Sequence, residues 1–197
     1  MASKYKPRYS IPLQPGTTYA QPPAPADWVS VDDPALTVFT DFTQVQPRTV
    51  RPDRPIDAAL EQMKEQGVRL LLVTDTDESI LGIVTARDIQ GEKPIRITEE
   101  SRVTRADIPV RDIMTPQPEI PVLNMISVEP ATVGHIIATL EALERQHVLV
   151  VEVDEETGIQ RVRGLFSSSQ IRKQMHTVEG DDIHPAHSLA DIVGSIR

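Results

Sequence analysis

Two short stretches carry residue types that could do chemistry. They are Thr85-Ala86-Arg87-Asp88 and Ser167-Ser168-Ser169-Gln170, and each begins three residues after a glycine, Gly82 or Gly164. An ionised Asp88 can accept from two donors at once, which suits the adjacent 2′- and 3′-hydroxyls of a ribose. A hydroxyl at Thr85 and the free amides of a helix's first turn suit a phosphate. Arg87 can add a charge-assisted, bidentate contact to that phosphate. In the second stretch the neutral amide of Gln170 stands in place of the acid and lacks its charge-assisted strength. Ser167 and Ser169 could still hold a phosphate there, with no added positive charge. A plainer reading competes at both places. Thr-x-x-Asp and Ser-x-x-Gln are also capping boxes, in which side chains only close a helix start. Capping accounts for the hydroxyls and their partners, but not for Arg87 or for the two glycines.

The elements that must position these stretches occur twice. Thr49-Val50 reads as a short strand. Ile56, Ala59, Leu60 and Met63 then fall on one face of a helix, with Asp53 as candidate N-cap and Gly67 as candidate C-cap. Leu70 to Val73 is a continuous apolar run, the pattern of a buried strand. Asp75 to Ser79 is a turn, Ile80 to Val84 returns, and Thr85 opens a second helix. The second copy puts Val133, Ile136, Ile137 and Leu140 on a helical face behind Thr132, then a buried run Val148 to Val151. A longer turn at Asp154 to Gln160 and a return strand Val162 to Phe166 follow. Gly91 to Arg105 between the copies is polar and charged, and Val110 to Pro116 reads as a helical lead-in to copy two. A repeat present only twice implies two units sharing one core, with a cleft between them.

The tandem β-α-β-β-α order, the Gly-apolar-apolar-[Ser/Thr]-x-x-[Asp/Asn]-apolar ending and the lead-in Val110-Arg111-Asp112-Ile113-Met114-Thr115-Pro116 carry a resemblance. Over roughly residues 36–176 the chain resembles a tandem pair of cystathionine-β-synthase (CBS) domains, a Bateman module. The resemblance implies an α/β fold of two repeats packed with pseudo-twofold symmetry. It implies adenine-nucleotide or related adenosyl ligands in clefts between the repeats: AMP, ADP or ATP, with a cyclic dinucleotide or S-adenosylmethionine as alternatives. The residues carried over are Thr49, Thr85, Arg87 and Asp88 for one site and Ser167, Ser169 and Gln170 for the other. Gln170 departs from the family's acid. Such modules mostly form flat homodimers and regulate a partner protein without catalysis of their own. The expected organisation is a proline-rich, extended N-terminal arm at 1–34, a first repeat at 35–91, a linker at 92–109, a second repeat at 110–176 and a tail at 177–197. The rival reading is an assembly scaffold that keeps the fold without the ligand.

Composition narrows the rest. The 197 residues carry a net charge of −9, which argues against sequence-independent binding to nucleic acid. The chain has no cysteine, so disulfides and thiolate chemistry are excluded. No run approaches the length of a membrane span, and the start lacks a signal-like apolar segment. A cytoplasmic location is the expectation. Neither a hydrolase triad pattern nor a Walker-type phosphate loop is present, so no enzyme is expected. Residues 1–34 hold seven of the prolines and four of the seven aromatics, Tyr5, Tyr9, Tyr19 and Trp28. That fits a flexible leader, or an arm that docks with Trp28 as anchor. His176, His184 and His187 lack a recurrent metal spacing. Leu189, Ile192, Val193 and Ile196 share one face of a short helix in the tail, which either packs on its own module or docks a partner. His135 and His147 read as packed or surface histidines.

Overall fold

The computed structural model describes residues 12, 14, 28–154 and 156–175. In chain order the elements are β1 (Thr40–Asp41), β2 (Thr49–Val50), α1 (Ile56–Gln66), β3 (Leu70–Thr74), β4 (Ile80–Thr85), α2 (Ala86–Gln90) and α3 (Glu92–Ser101). They continue with β5 (Thr115–Pro116), β6 (Val122–Asn124), α4 (Met125–Val128), α5 (Val133–Ala142), β7 (His147–Val153), β8 (Gln160–Ser167) and α6 (Ser168–Gln174). The tail helix and the three C-terminal histidines lie outside the described residues.

The apolar runs behave as buried strands must. Every residue of β3 is buried, and so are Val148 to Val151 of β7. The helical stripes also face inward. Ile56, Ala59 and Met63 of α1 are buried against β3, β4 and α2 residues such as Leu71, Val84 and Ile89. Val133, Ile136, Ile137 and Leu140 of α5 are buried against Val148, Val150, Phe166 and Ile171. Leu70, Leu72 and Ile83 of one sheet meet Leu149 of the other, with Phe42, Ile120, Val162 and Leu165 packed around them. This third cluster joins the repeats into one body.

Two four-stranded sheets result, β2-β3-β4-β5 and β6-β7-β8-β1, with the same strand order. In each, a short strand runs parallel to the buried one, a hairpin follows, and a two-residue strand closes the edge. The closing strands are exchanged. Thr40–Asp41, ahead of the first repeat in sequence, pairs with β8 of the second, while Thr115–Pro116, ahead of the second, pairs with β4 of the first. Both expected divisions, at 35 and at 110, are therefore crossed.

The flanking residues follow their strands. Ala35 and Val38 are fully buried in the second repeat's core; Val110 and Ile113 are buried in the first's. The stretch Val110 to Pro116 is thus a short 3₁₀ turn and a strand rather than a helix leading into copy two. Arg163 pins the exchanged β1. Its guanidinium donates to both carboxylate oxygens of Asp41, at 2.9 and 2.8 Å, and to Glu152. It holds the Asp41 carboxyl well below the usual carboxylate range.

Three further expectations are corrected. The arm is not extended throughout: Val29 and Val31 pack on the second core, and Val31 and Asp33 carbonyls accept from Gly134 and Val133 amides at 2.8 and 2.9 Å. Those are free first-turn amides of α5. Trp28 itself is 61% exposed. The α1 start is closed the same way. Asp53 does not cap it; Pro55 precedes the helix, and the Ile56 amide donates to the Ile108 carbonyl at 3.0 Å. The linker also holds more structure than its polarity suggests, since ten of its residues form α3.

The candidate nucleotide clefts

β4 runs directly into α2, and the turn is locked by a complete capping box. The Asp88 amide donates to Thr85 Oγ1 at 3.2 Å, and Asp88 Oδ2 accepts from the Thr85 amide at 3.0 Å and its hydroxyl at 2.6 Å. The Thr85 hydroxyl proton is therefore committed to Asp88. The other carboxylate oxygen, Oδ1, faces Lys93 Nζ at 3.3 Å, and Lys93 also donates to the Ile113 carbonyl at 2.9 Å. Asp88 is 16% exposed, so what it offers a ligand is one oxygen beside an ammonium group.

Arg87 leaves the same helical turn in another direction. It lines a cavity of about 750 Å³ together with Arg69, Lys64, Leu60, Met63 and Val68, and Gln146 reaches it from the second repeat. Thr49, Thr85 and Asp88 are not among its lining residues. Lys64 is paired with Glu61 at 2.7 Å, whereas the exposed Arg69 and Arg87 make no ion pair among the described residues. An apolar floor with clustered cations, in a chain of net charge −9, is suited to an anionic group on a partly apolar ligand. Sequence reasoning missed Arg69. Its only signal is position: it stands immediately before the buried run of β3, as Gln146 stands one residue before His147 and the run of β7.

Thr49 lies at the sheet's far edge. It pairs with Leu72 of β3, which pairs with Ile83 of β4, so β3 lies between it and the strand that ends in the Thr85 turn. Its carbonyl accepts from Gln62 Nε2 at 2.9 Å, and no hydrogen bond joins it to Thr85 or Asp88.

The second turn is built differently. Ser167 precedes α6 but does not cap it; its Oγ lies 2.9 Å from Ser169 Oγ instead. The expected capping box is absent because Ser169 takes the hydroxyl and Gln170 does not reach back. Gln170 is half-buried, and its side chain makes no hydrogen bond among the described residues.

The two glycines have a structural cause. A Cβ on Gly82 would lie 2.6 Å from the Thr115 carbonyl oxygen and 2.9 Å from Met114 Sδ. One on Gly164 would lie 2.2 Å from the Thr40 oxygen and 2.4 Å from the Phe39 ring, which itself packs on Phe166 at 5.1 Å. Each glycine admits the exchanged strand, so neither is evidence for a ligand.

Comparison with known proteins agrees with this architecture. A family model, the CBS domain, matches residues 29–92. An uncharacterised conserved protein of Pyrococcus horikoshii is 21% identical over 79% of this chain and all of its own, with a TM-score of 0.52. A putative signal-transduction protein with CBS domains from Burkholderia ambifaria is 22% identical over 70% of this chain and 88% of its own, TM-score 0.50. A Methanocaldococcus jannaschii protein described as a putative archaeal homolog of γ-AMPK is 22% identical over 75% of this chain, which spans 51% of that protein, TM-score 0.51. No curated protein matches. With its two sheets and repeated order, the chain has the fold of a tandem CBS-domain pair.

Proposed function

We propose that this chain is a non-catalytic regulatory module that binds an adenosine-containing ligand beside α2 and passes the occupancy on to a partner protein. The observation that carries the reading is the divergence of two consecutive side chains. Asp88 offers a carboxylate oxygen on one side of the first turn of α2, and Arg87 points with Arg69 into a cationic cavity on the other. A ribose diol suits the first and a phosphate the second. The ligand class is AMP, ADP or ATP, with a cyclic dinucleotide or S-adenosylmethionine meeting the same ribose contact. The module works as a homodimer in the cytoplasm, and differential affinity of the ligand for two states drives the switch.

A thermal-shift panel across these ligands tests the reading, because a ligand bound only to the folded chain raises its melting temperature. The expected result is a rise with at least one adenosyl ligand, lost in Asp88→Ala and in Arg87→Ala. No rise with any of them sinks it. That outcome would favour the scaffold reading, which draws on Thr85 and Asp88 satisfying each other and on the uncharged second turn.

A further inference from the structure

The strand-to-helix turn of each repeat is tied to the start of its buried strand. The Ala86 amide donates to the Arg69 carbonyl at 3.0 Å, and the Ser168 amide to the Gln146 carbonyl at 2.9 Å. Arg69 and Gln146 are therefore equivalent, and so are Arg87 and Ser169, one residue beyond those amides. The two faces differ in charge. Arg69, Arg87 and Lys64 stand around the cavity beside α2, over the apolar Leu60, Met63 and Val68. The second repeat has Gln146, Ser169 and Glu141 in the places of those three cations.

Whatever covers the first face must bring apolar side chains and negative charge together. A second copy laid over it about a twofold axis brings Arg69 and Arg87 toward their own duplicates, and like charges across an interface are unfavourable. The chain's own C-terminal segment, which lies outside the described residues, has both properties in its sequence. Residues 176–197 hold Glu179, Asp181, Asp182 and Asp191 against Arg197 alone, a formal charge of −3 with the histidines neutral. Leu189, Ile192, Val193 and Ile196 share one helical face. Reach is no obstacle. α6 is seven residues long, about 10 Å, and starts at Ser168, against Gln146 on the cavity's rim. The thirteen residues between Met175 and Leu189 span up to about 45 Å.

We propose that residues 176–197 fold back over the cavity beside α2, with Leu189, Ile192, Val193 and Ile196 on its apolar floor and the acids Glu179, Asp181 and Asp182 at Arg69 and Arg87. The segment then covers the place where a ligand's anionic group is expected, so segment and ligand exclude each other. The docking stands on the cavity, the charges and the reach; the exclusion rests on the nucleotide reading. The second repeat, nearer in sequence, is passed over because its equivalent face has no cations to meet the acids.

The test exploits the absence of cysteine from the chain. Ser195→Cys in the full chain takes a nitroxide spin label at a single place, and the label broadens the NMR signals of residues near it. Signals of Leu60, Met63 and Arg87 should broaden, and those of Ser127 and Thr139, in the groove along α4 and α5, should not. Ile192→Asp should abolish the broadening. So should Arg69→Glu with Arg87→Glu, and adding Asp181→Arg with Asp182→Arg to that pair should restore it, which no loss of folding could mimic. Broadening at Ser127 and Thr139 instead, or nowhere, overturns the proposal. So does broadening carried wholly from a spin-labelled chain to a separate isotope-labelled one, because the occupant is then a second copy. AMP separates docking from the nucleotide reading. Ile192→Asp should tighten AMP by about two- to tenfold, the gain being set by the fraction of time the cavity is covered. Broadening together with an unchanged AMP affinity overturns the exclusion. If broadening is seen and AMP binds nowhere, the nucleotide reading fails and the docked segment stands. If AMP binds and nothing broadens, the reverse holds.

Discussion

Gly67 and Glu144 close equivalent helices with the same left-handed turn, at φ 65° and 51°. Their amides donate to the Lys64 and Glu141 carbonyls at 3.2 and 2.9 Å, and the next amides, of Val68 and Arg145, donate to Met63 and Leu140 at 2.9 and 3.0 Å. Only glycine adopts that conformation without a Cβ penalty. Glu144→Gly should therefore stabilise the chain by about 0.5–1 kcal/mol, a rise of roughly 1–4 °C. Differential scanning calorimetry reads it, and a fall in melting temperature would contradict it.

Gly82→Ala and Gly164→Ala should both destabilise, by about 1–3 kcal/mol, since a methyl group must displace a crossing backbone. Gly164→Ala should be the worse. Its Cβ meets a carbonyl oxygen and an aromatic ring, whereas the Gly82 site has the flexible Met114 side chain as one neighbour. Urea denaturation of the two variants gives the order directly.

The strand runs and helical stripes were legible because burial of a whole element imposes a period on many residues. Leu70 to Val73 and the α5 stripe announce themselves in this way. The exchanged strands did not, because two residues cannot show a period. Their partners are fixed by a glycine far along the chain. Val110 to Pro116 stands out in the sequence, yet its counterpart, Ala35-Leu36-Thr37-Val38-Phe39-Thr40-Asp41, reads only as the opening of the first repeat. At the site, Thr85 and Asp88 were readable from the capping pattern. Arg69 was not, because a residue at the start of a strand gains its role from what faces it across the junction.

Removal of residues 1–34 should lower stability, as removal of a merely flexible leader would not. It takes away Val29 and Val31 from the second core and strips two first-turn amides of α5 of their acceptors. The cost should be about 2–3 kcal/mol, or roughly 5–10 °C. A chain beginning at Trp28 is the comparison that isolates the docked stretch. Equal melting temperatures for the two would show that Val29 to Pro34 contribute nothing.

His147 should shape the acid limb of the stability profile. It is held near 4 in the folded chain, below its ordinary value of 6.5, so the unfolded chain binds more protons between those values. Stability is complete above about pH 6.5 and declines as pH falls toward 4, by on the order of 2 kcal/mol. His147→Leu should flatten that window, as read from urea midpoints at pH 7, 6, 5 and 4.5. An unchanged slope would remove His147 from the account.

Asp88 carries two duties that different substitutions separate. Asp88→Ala removes the cap and the acceptor together, and should cost about 1 kcal/mol of stability and about 1.5–3 kcal/mol of nucleotide binding. Asp88→Asn keeps a side-chain oxygen for the Thr85 turn and loses only the charge. Calorimetric titration of both should show binding weakened in each and stability lost chiefly in Asp88→Ala. Full affinity in Asp88→Asn would mean that the carboxylate serves the helix alone.

The exchange of Thr40–Asp41 and Thr115–Pro116 makes the repeats inseparable by any cut in the sequence. A fragment ending before Ile108 leaves the first sheet without its edge and exposes the core under Val110 and Ile113. A fragment starting there leaves the second without Phe39 and its strand. Like two links of a chain, each half is closed by a piece of the other. The smallest heritable unit of this architecture is consequently the pair: a duplication, fusion or excision that moves one repeat alone carries away half of each closure.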